Sequence, residues 1–110
     1  MHPQDYHDYV FKDGKLLGEF EEMYSHSREI PWHQDKTSYY VFSEIDIAIL
    51  KQYTYGSICD IGCGLGFFTS RLAKELNPPE GVSLRVTGID ISSTAVKKAS
   101  LQFPEIRFLS

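Results

Sequence analysis

The chain has 110 residues, room for one domain at most. Its 42% hydrophobic and 24% charged residues are the proportions of a globular protein and exclude a disordered one. A net charge of −4 without a basic run argues against a nucleic-acid partner, and no stretch approaches the ~18 apolar residues of a membrane span.

Residues 1–14 are polar and aromatic, end at Asp13-Gly14, and read as a loosely held tail. Met1-His2-Pro3-Gln4-Asp5 has neither a basic region nor an apolar core, so no secretory leader is expected. His2 and His7 do not have the i,i+4 spacing of a helical ligand pair, and they read as exposed histidines with no metal. Leu16, Leu17, Phe20, Met23 and Tyr24 fall on one face of a helix over 15–27, which Gly18 weakens. Pro31-Trp32-His33-Gln34-Asp35 reads as a loop. Tyr24, Trp32 and His33 there can cover a ligand or simply pack the segment onto the domain.

A long helix is predicted over 38–53, capped by Thr37 or Ser38. Val41, Phe42, Ile45, Ile49 and Leu50 form its apolar face, and Ser43, Glu44, Asp46, Lys51 and Gln52 its wet one. Gly56 ends it, and a first strand follows at 57–61. The next helix, 65–76, repeats Phe68, Leu72 and Leu76 at i+4 and can pair Arg71 with Glu75; Asn77-Pro78-Pro79-Glu80-Gly81 stops it. A second strand occupies 84–90. A helix capped by Ser92 then carries Ala95, Ala99 and Phe103 inward and closes at Pro104, and a third strand covers 106–109. This β-α-β-α-β pattern is half of a doubly wound α/β sheet with strand order 3-2-1.

The chemistry is concentrated where the first strand runs into its helix, Ile58-Cys59-Asp60-Ile61-Gly62-Cys63-Gly64-Leu65-Gly66. Alternate glycines allow positive φ and close approach of the main chain to a ligand. Phe67 stands where a dinucleotide fingerprint has its third glycine, and the Gly-Lys-Ser/Thr of a phosphate loop is absent. Asp90, 28 positions after Gly62, ends the second strand. It can accept hydrogen bonds from a ribose diol or favour the following helix N-terminus. Cys59 and Cys63 are too few for a four-ligand zinc site and read as small buried filler in a reducing, cytoplasmic setting.

At these two motifs, Asp60 to Gly66 and Gly88-Ile89-Asp90-Ile91-Ser92, the sequence resembles the class I S-adenosylmethionine-dependent methyltransferases. The resemblance implies a Rossmann-like doubly wound sheet, with only its first half present and N-terminal helices before it. Residues 1–36 would be an N-terminal segment able to act as a cofactor lid, and residues 37–110 the S-adenosylmethionine-binding half-domain. It also implies a site of Asp60, Gly62, Cys63, Gly64, Gly66, Asp90 and Ile91. Asp60 would face the cofactor's ammonium, the glycine-turn N–H groups its carboxylate, Asp90 its ribose diol, and Ile91 would be a shelf for adenine. The methyl acceptor is expected to be a small molecule, and no catalytic residue can be named; His33, Tyr24 and Tyr39 are only nearby polar groups. A non-catalytic nucleotide-binding or interaction module is the alternative.

The first strand reads as an interior strand with helices over both faces and no partner on its outer edge. Such edges recruit other strands. The chain is therefore expected to form a homo-oligomer or to fold residues 1–35 back over that edge.

Overall fold

In the computed structural model the described residues are 2–53, 56–76, 81 and 83–110, with backbone alone for 37–42. The N-terminal part contains α1 (His7–Val10), a hairpin of β1 (Phe11–Lys12) and β2 (Lys15–Leu16), α2 (Phe20–His26), a 3-10 turn at Pro31–His33, and α3 (Thr37–Leu50). The remainder alternates: β3 (Ser57–Ile61), α4 (Phe67–Glu75), β4 (Arg85–Ile89), α5 (Ser93–Gln102) and β5 (Arg107–Leu109).

The tail is held down, not loose. Tyr6, Tyr9 and Val10 are buried in one cluster with Met23, Tyr24 and Ala95. The Tyr9 hydroxyl donates to the Pro3 carbonyl at 2.6 Å, and the Arg28 N–H donates to the Gln4 carbonyl at 2.9 Å. Buried aromatic area outweighs the polar composition of this stretch. The helix predicted from residue 15 begins only at Phe20. Asp13 and Gly14 adopt φ of 51° and 74° and turn Lys15–Leu16 back onto Phe11–Lys12, and Gly18 at φ 66° breaks the chain again. Leu16 and Leu17 are left exposed.

The helix α3 is rotated from its predicted orientation. Ile47 is 2% exposed and packs with Leu50 against Leu72 and Leu76, while Ile45 and Ile49 are 60% and 52% exposed. The anchor lies on α4: Arg71 donates to Ser43 Oγ at 2.6 Å and to Glu44 Oε1 at 2.8 Å, and it also holds Glu75 at 2.6 Å. Drawing Ser43 inward turns its i+4 neighbour Ile47 inward too. Lys36, not Thr37 or Ser38, is the N-cap, and it makes no side-chain capping bond. The side chains of Val41 and Phe42 lie outside the described ones, as do Asn77 to Glu80 of the predicted helix stop.

The three long strands are parallel, in the order β3-β4-β5. Ile58, Asp60, Val86, Gly88 and Phe108 share one face by alternation and register. Both helices α4 and α5 pack on that face: Leu72 and Leu76 with Ile58 and Val86, Ala99 and Phe103 with Phe108 and Ile106. Helices over both faces of the first strand are therefore not found among the described residues. Two consecutive β-α-β crossovers of one hand carry their helices to the same side. The opposite face presents Cys59, Ile61 and Leu109 to solvent, so Cys59 is exposed instead of buried filler. Among the described residues β3 pairs only with β4, and α2 of the N-terminal segment packs on α5.

Candidate cofactor site

Three glycines of the β3–α4 turn take positive φ, at 79°, 56° and 83° for Gly62, Gly64 and Gly66, and each has different surroundings. A Cβ on Gly62 would meet nothing within 4 Å, so its Cα faces open space. A Cβ on Gly64 would sit 2.7 Å from both Gln34 Oε1 and Tyr24 Oη, so this glycine admits side chains of the N-terminal segment. A Cβ on Gly66 would sit 2.7 Å from the Phe108 ring, so the third glycine serves packing.

The turn's amides are already engaged. The Gly62 and Cys63 N–H groups donate to the Ile89 carbonyl, Gly64 N–H to Asp90 Oδ2 at 2.8 Å, Leu65 N–H to Gln34 Oε1 at 3.1 Å, and Gly66 N–H to the Cys63 carbonyl. Asp90, 8% exposed, also accepts from Ser92 N–H through Oδ1 at 2.9 Å. It thus ties the first motif to the second. Each of its oxygens keeps a lone pair for another donor.

Asp60 is partly buried at the other side of the turn, where Thr69 Oγ1 donates to its Oδ2 at 2.7 Å. Burial pushes its carboxyl above the usual range; the Thr69 bond opposes this and the Asp90 charge adds to it. Cys63 is buried, and burial first, then Asp90 and Asp60, push its thiol up to about 12. It stays a neutral thiol at physiological pH and packs beneath the turn with Ala99 and Phe108.

These residues open onto a cavity of about 520 Å³ lined by Ile61, Gly62, Ile89, Asp90 and Ile91 from the sheet side and by Phe20, Tyr24 and Trp32 from the N-terminal segment. That volume lies within the ~300–1,000 Å³ of small-ligand pockets. Ile91 is 83% exposed at its rim. An adjoining recess of about 190 Å³ is lined by Asp60, Gly62, Cys63, Gly64, Gln34 and Phe68, among others. Of the residues predicted for the site, all but Gly66 line one or the other space. His33 lines neither and is exposed, and the Tyr39 side chain lies outside the described ones.

The N-terminal wall is fastened through residues that sequence reasoning missed. Glu21 Oε1 accepts from Thr94 N–H at 2.7 Å and from the Ser92 and Ser93 hydroxyls, capping α5 from another element. Those bonds, Thr94's first, hold its carboxyl at about 2. Lys98 Nζ donates to the Tyr24 carbonyl at 2.7 Å. Gln34, buried, donates to Tyr24 Oη and the Pro31 carbonyl while accepting from Leu65. A lone Gln in a loop carries no sequence signal. Thr69, two residues into the helix after Gly66, could have been read as a partner for Asp60.

A parallel sheet with a glycine turn and two acids at its carboxyl end, Asp90 on the cavity and Asp60 on the adjoining recess, has the architecture of half a doubly wound α/β fold, in which ligands sit outside the strand ends. Residues 55–102 match the family model described as a methyltransferase domain, which supports the resemblance to the class I methyltransferases. Among the solved structures with a similar fold is one described by the words "Conversion of a Disulfide Bond into a Thioacetal Group during Echinomycin Biosynthesis", at 22% identity and a TM-score of 0.53. The match covers 83% of this chain, which spans only 38% of that one. No curated protein sequence matches. No helix among the described residues is long and apolar enough to cross a membrane.

Proposed function

We propose that the chain is the cofactor-binding half of an S-adenosylmethionine-dependent methyltransferase acting on a small molecule. The observation that carries this reading is open space over Gly62 between two carboxylates, Asp90 at a largely apolar cavity and Asp60 at the recess adjoining it, with Gly62 lining both. The cofactor supplies a methyl group on a positively charged sulfur and carries an ammonium, so acids at the turn suit it. They repel a pyrophosphate, and the turn amides that would cradle one are engaged internally. This favours S-adenosylmethionine over a dinucleotide on electrostatic grounds as well as on the missing glycine at Phe67.

In this reading Asp90 keeps its bonds to Gly64 and Ser92 and accepts the ribose diol on its remaining lone pairs. Asp60 faces the ammonium, Ile91 supports the adenine, and Phe20, Tyr24 and Trp32 form the lid. The cofactor's carboxylate competes with Gln34 for the Leu65 N–H. Positioning is the chief task of such a site, because the donor is already activated. The acceptor side is not found among the described residues, which leaves a non-catalytic binding module as the second reading. Calorimetry with S-adenosylhomocysteine and with NAD tests the proposal: binding of the first and not the second is expected, and the reverse overturns it.

A further inference from the structure

On the far side of α2 from the cavity, three ligand-type side chains converge. His2, Glu22 and His26 each offer an atom within 4.8 Å of the other two. Glu22 and His26 are an i,i+4 pair on α2, with His26 Nε2 3.3 Å from Glu22 Oε2. His2 reaches them from the chain's start, its ring stacked on His26 with centroids 3.6 Å apart and planes 2° from parallel.

His2 is carried there by a braced backbone. Tyr9 holds the Pro3 carbonyl, Arg28 N–H holds the Gln4 carbonyl, and the Gln4 amide donates to the His2 carbonyl at 3.3 Å. Two of the three ligand-bearing residues are thus fixed by one helix, and the third by its neighbours' hydrogen bonds.

We propose that His2, Glu22 and His26 form a site for a divalent transition metal, zinc by its ligand chemistry, with water as the fourth ligand. Two imidazoles and one carboxylate are a known zinc donor set. Ligands ~2.0–2.1 Å from zinc in a tetrahedron lie roughly 3.3 Å apart. The Glu22–His26 separation already has that value, and rotation of the two rings out of their stack brings the third donor in. The metal clips the N-terminal tail to α2, whose Phe20 and Tyr24 wall the cavity. This inference does not depend on the identity of the cofactor.

Cobalt(II) is the probe, added to the intact 110-residue chain, because a four-coordinate site gives it an intense visible band. One equivalent should saturate the band, and zinc should displace it. His26→Ala and His2→Ala should each weaken cobalt binding at least ~10-fold, the scale of even indirect ligand losses, while His33→Ala should titrate as the wild type. Should the ligand variants fail to fold, the wild-type melting temperature with and without zinc decides, because a site of the folded state raises it. Unsaturable binding, a His26→Ala titration equal to the wild type, or no zinc-dependent rise in melting temperature would overturn the proposal and leave a simple Glu22–His26 ion pair.

Discussion

Phe108 fixes the identity of two glycines at once. Its ring lies where a Cβ on Gly66 or on Gly88 would have to be, at 2.7 Å and 2.6 Å. The first glycine belongs to the β3–α4 turn and the second precedes Asp90 by two residues, so motif and packing share the same atoms. Gly88→Ala should cost about 1–3 kcal/mol, the usual range for overpacking a core. Urea denaturation of Gly88→Ala should show this loss, and adding Phe108→Leu should recover part of it. A valine in place of Gly64 collides first with Gln34 and Tyr24, so it should loosen the N-terminal wall as well as block ligand. Asp90→Ala should weaken S-adenosylhomocysteine binding by about 1–3 kcal/mol through lost hydrogen bonds to a charged group. It should also lower the melting temperature, because Gly64 N–H loses its acceptor.

Among the elements, one carboxylate of α2, that of Glu21, gathers several donors at the start of α5. The Glu21 carboxyl sits at about 2 in the folded chain against an ordinary value of 4.5. A depressed folded value means that the stabilisation is complete above the ordinary value and is lost as pH falls from there toward 2. Melting temperatures between pH 7 and pH 3 should therefore drop more steeply in the wild type than in Glu21→Gln; identical slopes would remove Glu21 from the account. This fastening was not legible in the sequence, because its partners lie 71–73 residues apart and Glu21 looks like any exposed acid on a helix. Local signals fared better. The Ser92 cap, the Arg71–Glu75 pair and the Ala95–Ala99 stripe all stand as predicted, since each depends only on neighbours within one helix. The orientation of α3 was misread because Ile45, Ile47 and Ile49 make it apolar on more than one side. The long-range Arg71–Ser43 contact and the packing of Ile47 on Leu72 and Leu76 mark the buried face.

At the scale of the whole molecule, the radius of gyration is 15.3 Å, against about 13 Å for a compact domain of this length. One sheet face is covered by α4 and α5, and the other carries Cys59, Ile61 and Leu109 in solvent, beside a β3 edge that pairs with no strand among the described residues. We expect the 110-residue chain to bury this surface by self-association. Sedimentation velocity across the micromolar range should show concentration-dependent growth beyond the monomer; a monomer throughout, with β3 amides exchanging freely, would contradict it. The same open face leads us to expect no methyl transfer by this chain alone to amine, hydroxyl or carboxyl acceptors, which turnover in a direct assay would refute. The two motifs revealed the parallel α/β half readily because strand, glycine turn and acid are contiguous. The N-terminal wall of the cavity was harder to read because Gln34 comes to the turn only through tertiary packing.

The central claim is that S-adenosylmethionine-type ligands enter the cavity between Asp90 and Trp32. The chain contains a single tryptophan, so its emission reports on that cavity and the recess beside it. Titrating S-adenosylhomocysteine into the wild type should shift Trp32 emission in a saturable way, and Asp90→Ala should need a higher concentration for the same change. Calorimetric binding of S-adenosylhomocysteine with no change in Trp32 emission, or emission curves that coincide for the wild type and Asp90→Ala, would contradict the assignment.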